Sequence, residues 1–131
     1  MSTIRRSATT ILVVEDVTEM REMVLRLLRA MGYGPLFAVK SGEEAADLLR
    51  DQHFDLVLCD WNMPGITGID LLRTVRESSG GARTPFIMIT GENHRERIEA
   101  AIEAGVTDYL LKPFNALTLE NKIGAALARR G

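Results

Sequence analysis

Five short apolar runs constrain this chain more than any other feature: 11–14, 36–39, 56–59, 85–89 and 106–111. Each is too short for a buried helix and apolar on successive residues, the pattern of a strand covered on both faces. Between them the apolar spacing changes to three and four. Met20, Met23, Val24, Leu27, Leu28 and Met31 mark a first helix, with Thr18 expected as its cap and Gly32 as its stop. Ser41-Gly42-Glu43-Glu44 is a capping-box pattern leading into Ala45, Leu48 and Leu49. Ile69, Leu72 and Val75 mark a third helix. Residues 94–104 form a thinly apolar fourth, with Ile98, Ala101 and Ile102 expected inward and Arg95, Glu96, Arg97, Glu99 and Glu103 outward. The last begins near Asn115 and buries Leu119, Ile123 and Leu127. Strands alternating with helices predict an α/β fold, a parallel sheet with helices on both faces.

The ends of the runs carry the chemistry. Leu56-Val57-Leu58-Cys59 leads straight into Asp60, and Trp61-Asn62-Met63-Pro64-Gly65 then turns the chain. The first run ends at Glu15-Asp16, the fourth at Thr90, the fifth at Lys112-Pro113. In an open α/β sheet, ligands bind outside the carboxyl ends of the strands. A flavodoxin-like doubly wound sheet of five strands in the order 2-1-3-4-5, with five helices, would bring Glu15, Asp16 and Asp60 together, flanked by Thr90 and Lys112. Singly, each of these residues is better read as a turn or surface group. Four such groups falling at four strand ends is a different matter.

Carboxylates gathered in one cleft repel by roughly 4 kcal/mol per pair at 4 Å and an effective dielectric near 20. A hard divalent cation relieves that, and Mg²⁺ is commonly held by one or two carboxylates plus a phosphate. Asp60 then suits a nucleophile towards a phosphoryl group, with the Lys112 ammonium and the Thr90 hydroxyl on the phosphoryl oxygens.

Composition excludes other classes. The 131 residues fit one domain, expected over 10–131 behind a flexible, polar leader at 1–9. Sixteen Lys and Arg against eighteen Asp and Glu offer no basic excess for nucleic acid. One cysteine allows no internal disulfide, and two separated histidines, His53 and His94, make no zinc-like cluster. Cys59, inside an apolar run, reads as a buried hydrophobe. No apolar stretch approaches the roughly 18 residues a membrane helix needs. A soluble, cytoplasmic protein without membrane insertion is expected.

The chain resembles the response-regulator receiver domains over about residues 9–129. The resemblance rests on Val13-Val14-Glu15-Asp16, Asp60 to Pro64, Thr90-Gly91-Glu92, Ala104-Gly105 and Lys112-Pro113-Phe114. Asp60 to Pro64 and Thr118-Leu119-Glu120 point, within the family, to the stand-alone chemotaxis regulators. It departs from them at Glu15, where Asp is usual, at Gly91 and at Thr67-Gly68. None of these removes a required chemical group.

The resemblance implies that Asp60 is the phosphoacceptor for a sensor histidine kinase. It implies Mg²⁺ held by Glu15, Asp16, Asp60 and the backbone carbonyl of Asn62, and a cis Lys112–Pro113 bond. Thr90 and Tyr109 would form the switch, Lys112 would pair with the phosphoryl group, and Asn62 and Glu92 would tune dephosphorylation. The protein would not be an enzyme beyond its own phosphorylation and autodephosphorylation. Output would pass through the face of the fourth helix, fifth strand and last helix, where Arg95, Arg97, Tyr109 and Lys122 lie. The partner would be a downstream protein such as the flagellar motor switch, met by a monomer. A phosphate sink or a carrier in a phosphorelay is the alternative. An aspartate-nucleophile phosphohydrolase is disfavoured, since Asn62 stands where its general acid belongs. A flavodoxin-like nucleotide binder lacks its glycine loop: Gly32-Tyr33-Gly34 follows a helix, not a strand.

Overall fold

The structure, a computed structural model, describes residues 5–91 and 95–129. Five parallel strands, β1 (Ile11–Val14), β2 (Leu36–Val39), β3 (Leu56–Asp60), β4 (Phe86–Thr90) and β5 (Asp108–Leu111), lie in the order 2-1-3-4-5. Helices α1 (Thr18–Ala30), α2 (Gly42–Asp51), α3 (Gly68–Glu77), α4 (Arg95–Glu103) and α5 (Ala116–Arg129) join and follow them. The doubly wound sheet expected from the sequence is the one observed.

Side chains alternate across the sheet and build two cores. Ile11, Val13, Leu56, Leu58, Ile87, Ile89 and Leu110 meet α1 and α5. Leu12, Val14, Val57, Cys59, Phe86 and Met88 meet α2 and α3 on the other face. Each fully buried aliphatic side chain contributes about 1.5–3 kcal/mol. Burial on both sides is why β1, β3 and β4 read as unbroken apolar runs. Cys59 is fully buried among them, as its run implied.

Side-chain caps set several helix starts. Ser41 Oγ accepts from Glu44 N, and Glu44 Oε2 accepts from the Ser41 hydroxyl and from Lys40 N, so the cap is reciprocal, with the return backbone bond one residue before the capping serine. Thr67 Oγ1 accepts from Asp70 N, and Asn115 Oδ1 from Thr118 N. At the opposite edge from the strand ends, Arg76 donates to the carbonyls of Gly81, Thr84 and Gly105. That one side chain ties the segment after α3 to the segment before β5. Burial lowers its pKa from the ordinary arginine value.

Several expectations need correcting. Thr18 does not cap α1; it is the first helical residue, and the free N–H of Val17 is taken by the Glu15 carboxylate instead. The fifth strand starts at Asp108, not at 106, because Val106 N still donates back to Ala101 O, closing the end of α4 through Gly105 in the left-handed region at φ 92°. Of the three α4 residues expected inward, Ala101 is buried and Ile98 half-buried, but Ile102 is 61% exposed. The end of the polar leader is structured. Arg6–Ala8 form a 3-10 turn, and Arg6 reaches Met31 O, Glu120 and the face of Tyr33. A single side chain with three distant partners leaves no periodic trace in sequence.

Candidate functional site

Parallel register brings the carboxyl ends of β1 and β3 side by side, with Val14 opposite Cys59. The next residues on each strand are therefore Glu15 and Asp60. One oxygen from each of Glu15, Asp16 and Asp60 lies within 4.8 Å of the others, and among the described residues this is the group that could hold a metal ion. Glu15 is 2% and Asp60 5% exposed, whereas Asp16 is half-buried. Lys112, following β5, places its ammonium 3.1 Å from Asp60 Oδ1 and 3.6 Å from Glu15 Oε1.

The two oxygens of Glu15 have different work. Oε2 accepts from Val17 N at 3.1 Å and so anchors the start of α1. Oε1 is buried and has no hydrogen-bond partner. An unmet buried acceptor costs about 1–3 kcal/mol, and more when charged. Beside two further carboxylates, an all-oxygen donor set of this kind fits a hard divalent cation. Burial pushes the Asp60 and Glu15 carboxyls up from their ordinary values, and the Lys112 ammonium offsets only part of that rise. The site is thus strained towards neutrality and accepts positive charge.

Thr90 is buried at the carboxyl end of β4, one residue beyond Ile89, which pairs with Asp60. Its carbonyl accepts from Lys112 N at 2.8 Å, so the backbone carries Lys112 to the site. The Lys112–Pro113 bond is cis. Tyr109 stands on β5 opposite Met88, half-buried in the α2–α3 side of the core, with Lys122 Nζ 5.4 Å from its ring centre. Asn62 is exposed on the loop after β3. The expected site residue Glu92 lies outside the described residues, as does the side chain of Arg95.

A match to the response regulator receiver domain model spans residues 11–124. The chain belongs to that family. As a receiver domain, it is 42% identical over 119 residues to the chemotaxis protein CheY-3 of Vibrio cholerae, covering 91% of this chain and 92% of that one. It superimposes on the chemotaxis response regulator CheY4 of Vibrio cholerae with a TM-score of 0.85 at 32% identity, over 90% and 98% of the two chains. It also matches the receiver domain of a Pseudomonas aeruginosa sensor histidine kinase, with a TM-score of 0.85 at 29% identity, over 92% and 98%. That structure has a magnesium ion coordinated in its active site cleft.

The roles of two residues of this receiver were not legible in the sequence. Gly68, the first residue of α3, packs so closely that a Cβ there would stand 2.6 Å from the Asp60 carbonyl and 2.8 Å from Met88 Sδ. A glycine directly after a capping threonine was the available signal. Arg97, expected on the solvent face of α4, instead turns back onto Trp61 and Asn62. A contact across 35 positions has no local signature.

Proposed function

We propose that this receiver domain is a phosphorylation-activated response regulator. Asp60 accepts a phosphoryl group from the phosphohistidine of a sensor histidine kinase. The nitrogen–phosphorus bond of the donor breaks as an Asp60 carboxylate oxygen bonds to phosphorus, and the histidine keeps the electron pair. The observation that carries this reading is the buried Asp60 carboxylate, held at 3.1 Å by Lys112 beside a Glu15 Oε1 that has no hydrogen-bond partner and lies 3.6 Å from the same ammonium. Glu15, Asp16, Asp60 and the Asn62 carbonyl would hold Mg²⁺. When bound, that ion neutralises charge that the phosphoryl oxygens bring to the carboxylates.

The chain's own groups do the rest. Lys112 meets the phosphoryl charge, and the Thr90 hydroxyl offers a hydrogen bond at the end of β4. Asn62 and Glu92 tune hydrolysis of the product. Thr90 and Tyr109 pass the change to the face of α4, β5 and α5. The protein acts in the cytoplasm as a monomer that binds a downstream target. Chemotaxis is the supported setting, by likeness to the named chemotaxis regulators, and the flagellar motor switch is the target to test first. No transferable chemistry beyond its own phosphorylation and dephosphorylation is proposed.

The test is labelling by acetyl phosphate with and without EDTA, in wild type and Asp60→Asn. We expect label on Asp60 only, dependent on divalent cation. Equal labelling of the variant, or labelling indifferent to EDTA, overturns the reading.

A further inference from the structure

One cation of α4 points back towards the acceptor strand. Arg97 Nη1 donates to Asn62 Oδ1 at 3.2 Å, and its guanidinium carbon stands 5.3 Å from the centre of the Trp61 ring. Trp61 and Asn62 are the two residues directly after Asp60. Trp61 is 8% exposed, so its ring is a fixed platform for the guanidinium. A guanidinium carries donors only, so the carboxamide atom facing it is the oxygen. Asn62 is left with its N–H groups to offer elsewhere.

We propose that Arg97 is a positioning residue that prolongs the acyl phosphate at Asp60 by holding the Asn62 carboxamide oxygen away from the attacking water. The inference rests on Asp60 being the phosphoacceptor. In hydrolysis the water oxygen bonds to phosphorus while the bond from phosphorus to the Asp60 oxygen breaks. Asp60 leaves as a carboxylate with the electron pair; one water proton stays on phosphate and the other goes to solvent. A water so placed needs an acceptor to orient its protons. Asn62 Oδ1 is a nearby side-chain acceptor, and Arg97 occupies and anchors it.

The variants are Arg97→Met, Arg97→Lys, Asn62→Ala and Arg97→Met with Asn62→Ala, labelled by acetyl phosphate and followed after donor removal. Arg97→Met should lose its label roughly fivefold faster, the worth of one hydrogen bond of about 1 kcal/mol. Arg97→Lys, which keeps charge and a donor, should restore most of the lifetime. In the Asn62→Ala background, Arg97→Met should change nothing. Decay at the wild-type rate, or the same acceleration with and without Asn62, overturns the proposal. Trp61 is the only tryptophan, so its emission, with the Asn62 side-chain amide resonances, reads the contact without any label. Both should shift in unphosphorylated Arg97→Met; unchanged signals overturn the contact itself. If they shift while wild type takes no label, the phosphoacceptor reading fails, and the lifetime claim with it, but the contact stands.

Discussion

Lys112 Nζ lies 3.1 Å from Asp60 Oδ1, although the strand ends that carry them are separated by β4. The same ammonium is 3.6 Å from Glu15 Oε1. One partly exposed cation thus serves two buried carboxylates, with Asp16 close by. The ionised site is under-compensated, and that has a consequence for stability.

Burial raises the Asp60 and Glu15 pKa values in the folded protein. A folded state with raised carboxyl pKa values holds protons that the unfolded chain releases. The contribution to stability is therefore present below the ordinary carboxylate pKa, about 4, and is lost as pH rises through the raised folded values. At pH 7 without divalent cation, Asp60→Asn should be more stable than wild type by on the order of 1 kcal/mol. Lys112 would still have Glu15 as its partner. The advantage should shrink as pH falls towards 4, and Mg²⁺ should raise the Tm of wild type more than that of the variant. Thermal unfolding in EDTA and in Mg²⁺ measures all three. A variant less stable than wild type at pH 7 would show that the pair with Lys112 outweighs desolvation.

Gly68 and Gly124 make a matched pair for the close packing under Asp60. A Cβ at Gly68 would meet the Asp60 carbonyl at 2.6 Å, Met88 Sδ at 2.8 Å and Trp61 Cα at 3.0 Å, two of them backbone atoms. A Cβ at Gly124, inside α5, would meet nothing within 4 Å. Gly68→Ala should destabilise by roughly 1–3 kcal/mol through overpacking and slow the labelling of Asp60. Gly124→Ala should stabilise by about 0.5–1 kcal/mol through helix propensity and leave labelling alone. Denaturant unfolding and acetyl phosphate kinetics on the two variants decide it. Normal labelling in Gly68→Ala would mean that the acceptor strand tolerates displacement.

The same contrast explains what the sequence could reveal. β1, β3 and β4 are buried on both faces, so their residues are apolar without interruption and their polar ends stand out. The carboxylate cluster followed from those ends once the strand order was set. β2 and β5 are edge strands with half-buried residues, and there the signal weakened and the start of β5 was misplaced. α4 was legible in part. Ala101 is buried and Ile98 half-buried as expected, but the inner stripe continues through half-buried Ala100 and Ala104, small residues that a hydrophobic pattern ranks below the exposed Ile102. Arg97, charged and placed among charges, gave no reason to expect it over an indole ring.

The weak burial of α4 leads to the prediction about output. Ala101 is its one buried side chain among the described residues, so little apolar contact opposes a shift of this helix. Ile102 on α4, Leu111 on β5 and Leu117 on α5 are exposed apolar side chains. Tyr109, Leu111, Pro113, Phe114, Thr118 and Lys122 line a groove of about 370 Å³ between β5 and α5. Thr90 connects to this region through its carbonyl, which accepts from Lys112 N, and Tyr109 packs one strand away from Met88. A phosphoryl group that draws the Thr90 hydroxyl towards Asp60 would open space next to β5 for Tyr109. Beryllofluoride, which stands in for the phosphoryl group on Asp60, should therefore shift NMR signals over 90–112 and in α5, beyond those at 15–16 and 60–65. In Thr90→Ala the shifts at 60–65 should persist while those on α4, β5 and α5 diminish. Tyr109→Ala should diminish the α5 shifts most, since its ring lies under Lys122 of that helix. Changes confined to 15–16 and 60–65 in the unmodified protein would show that Thr90 and Tyr109 do not carry the signal to this face.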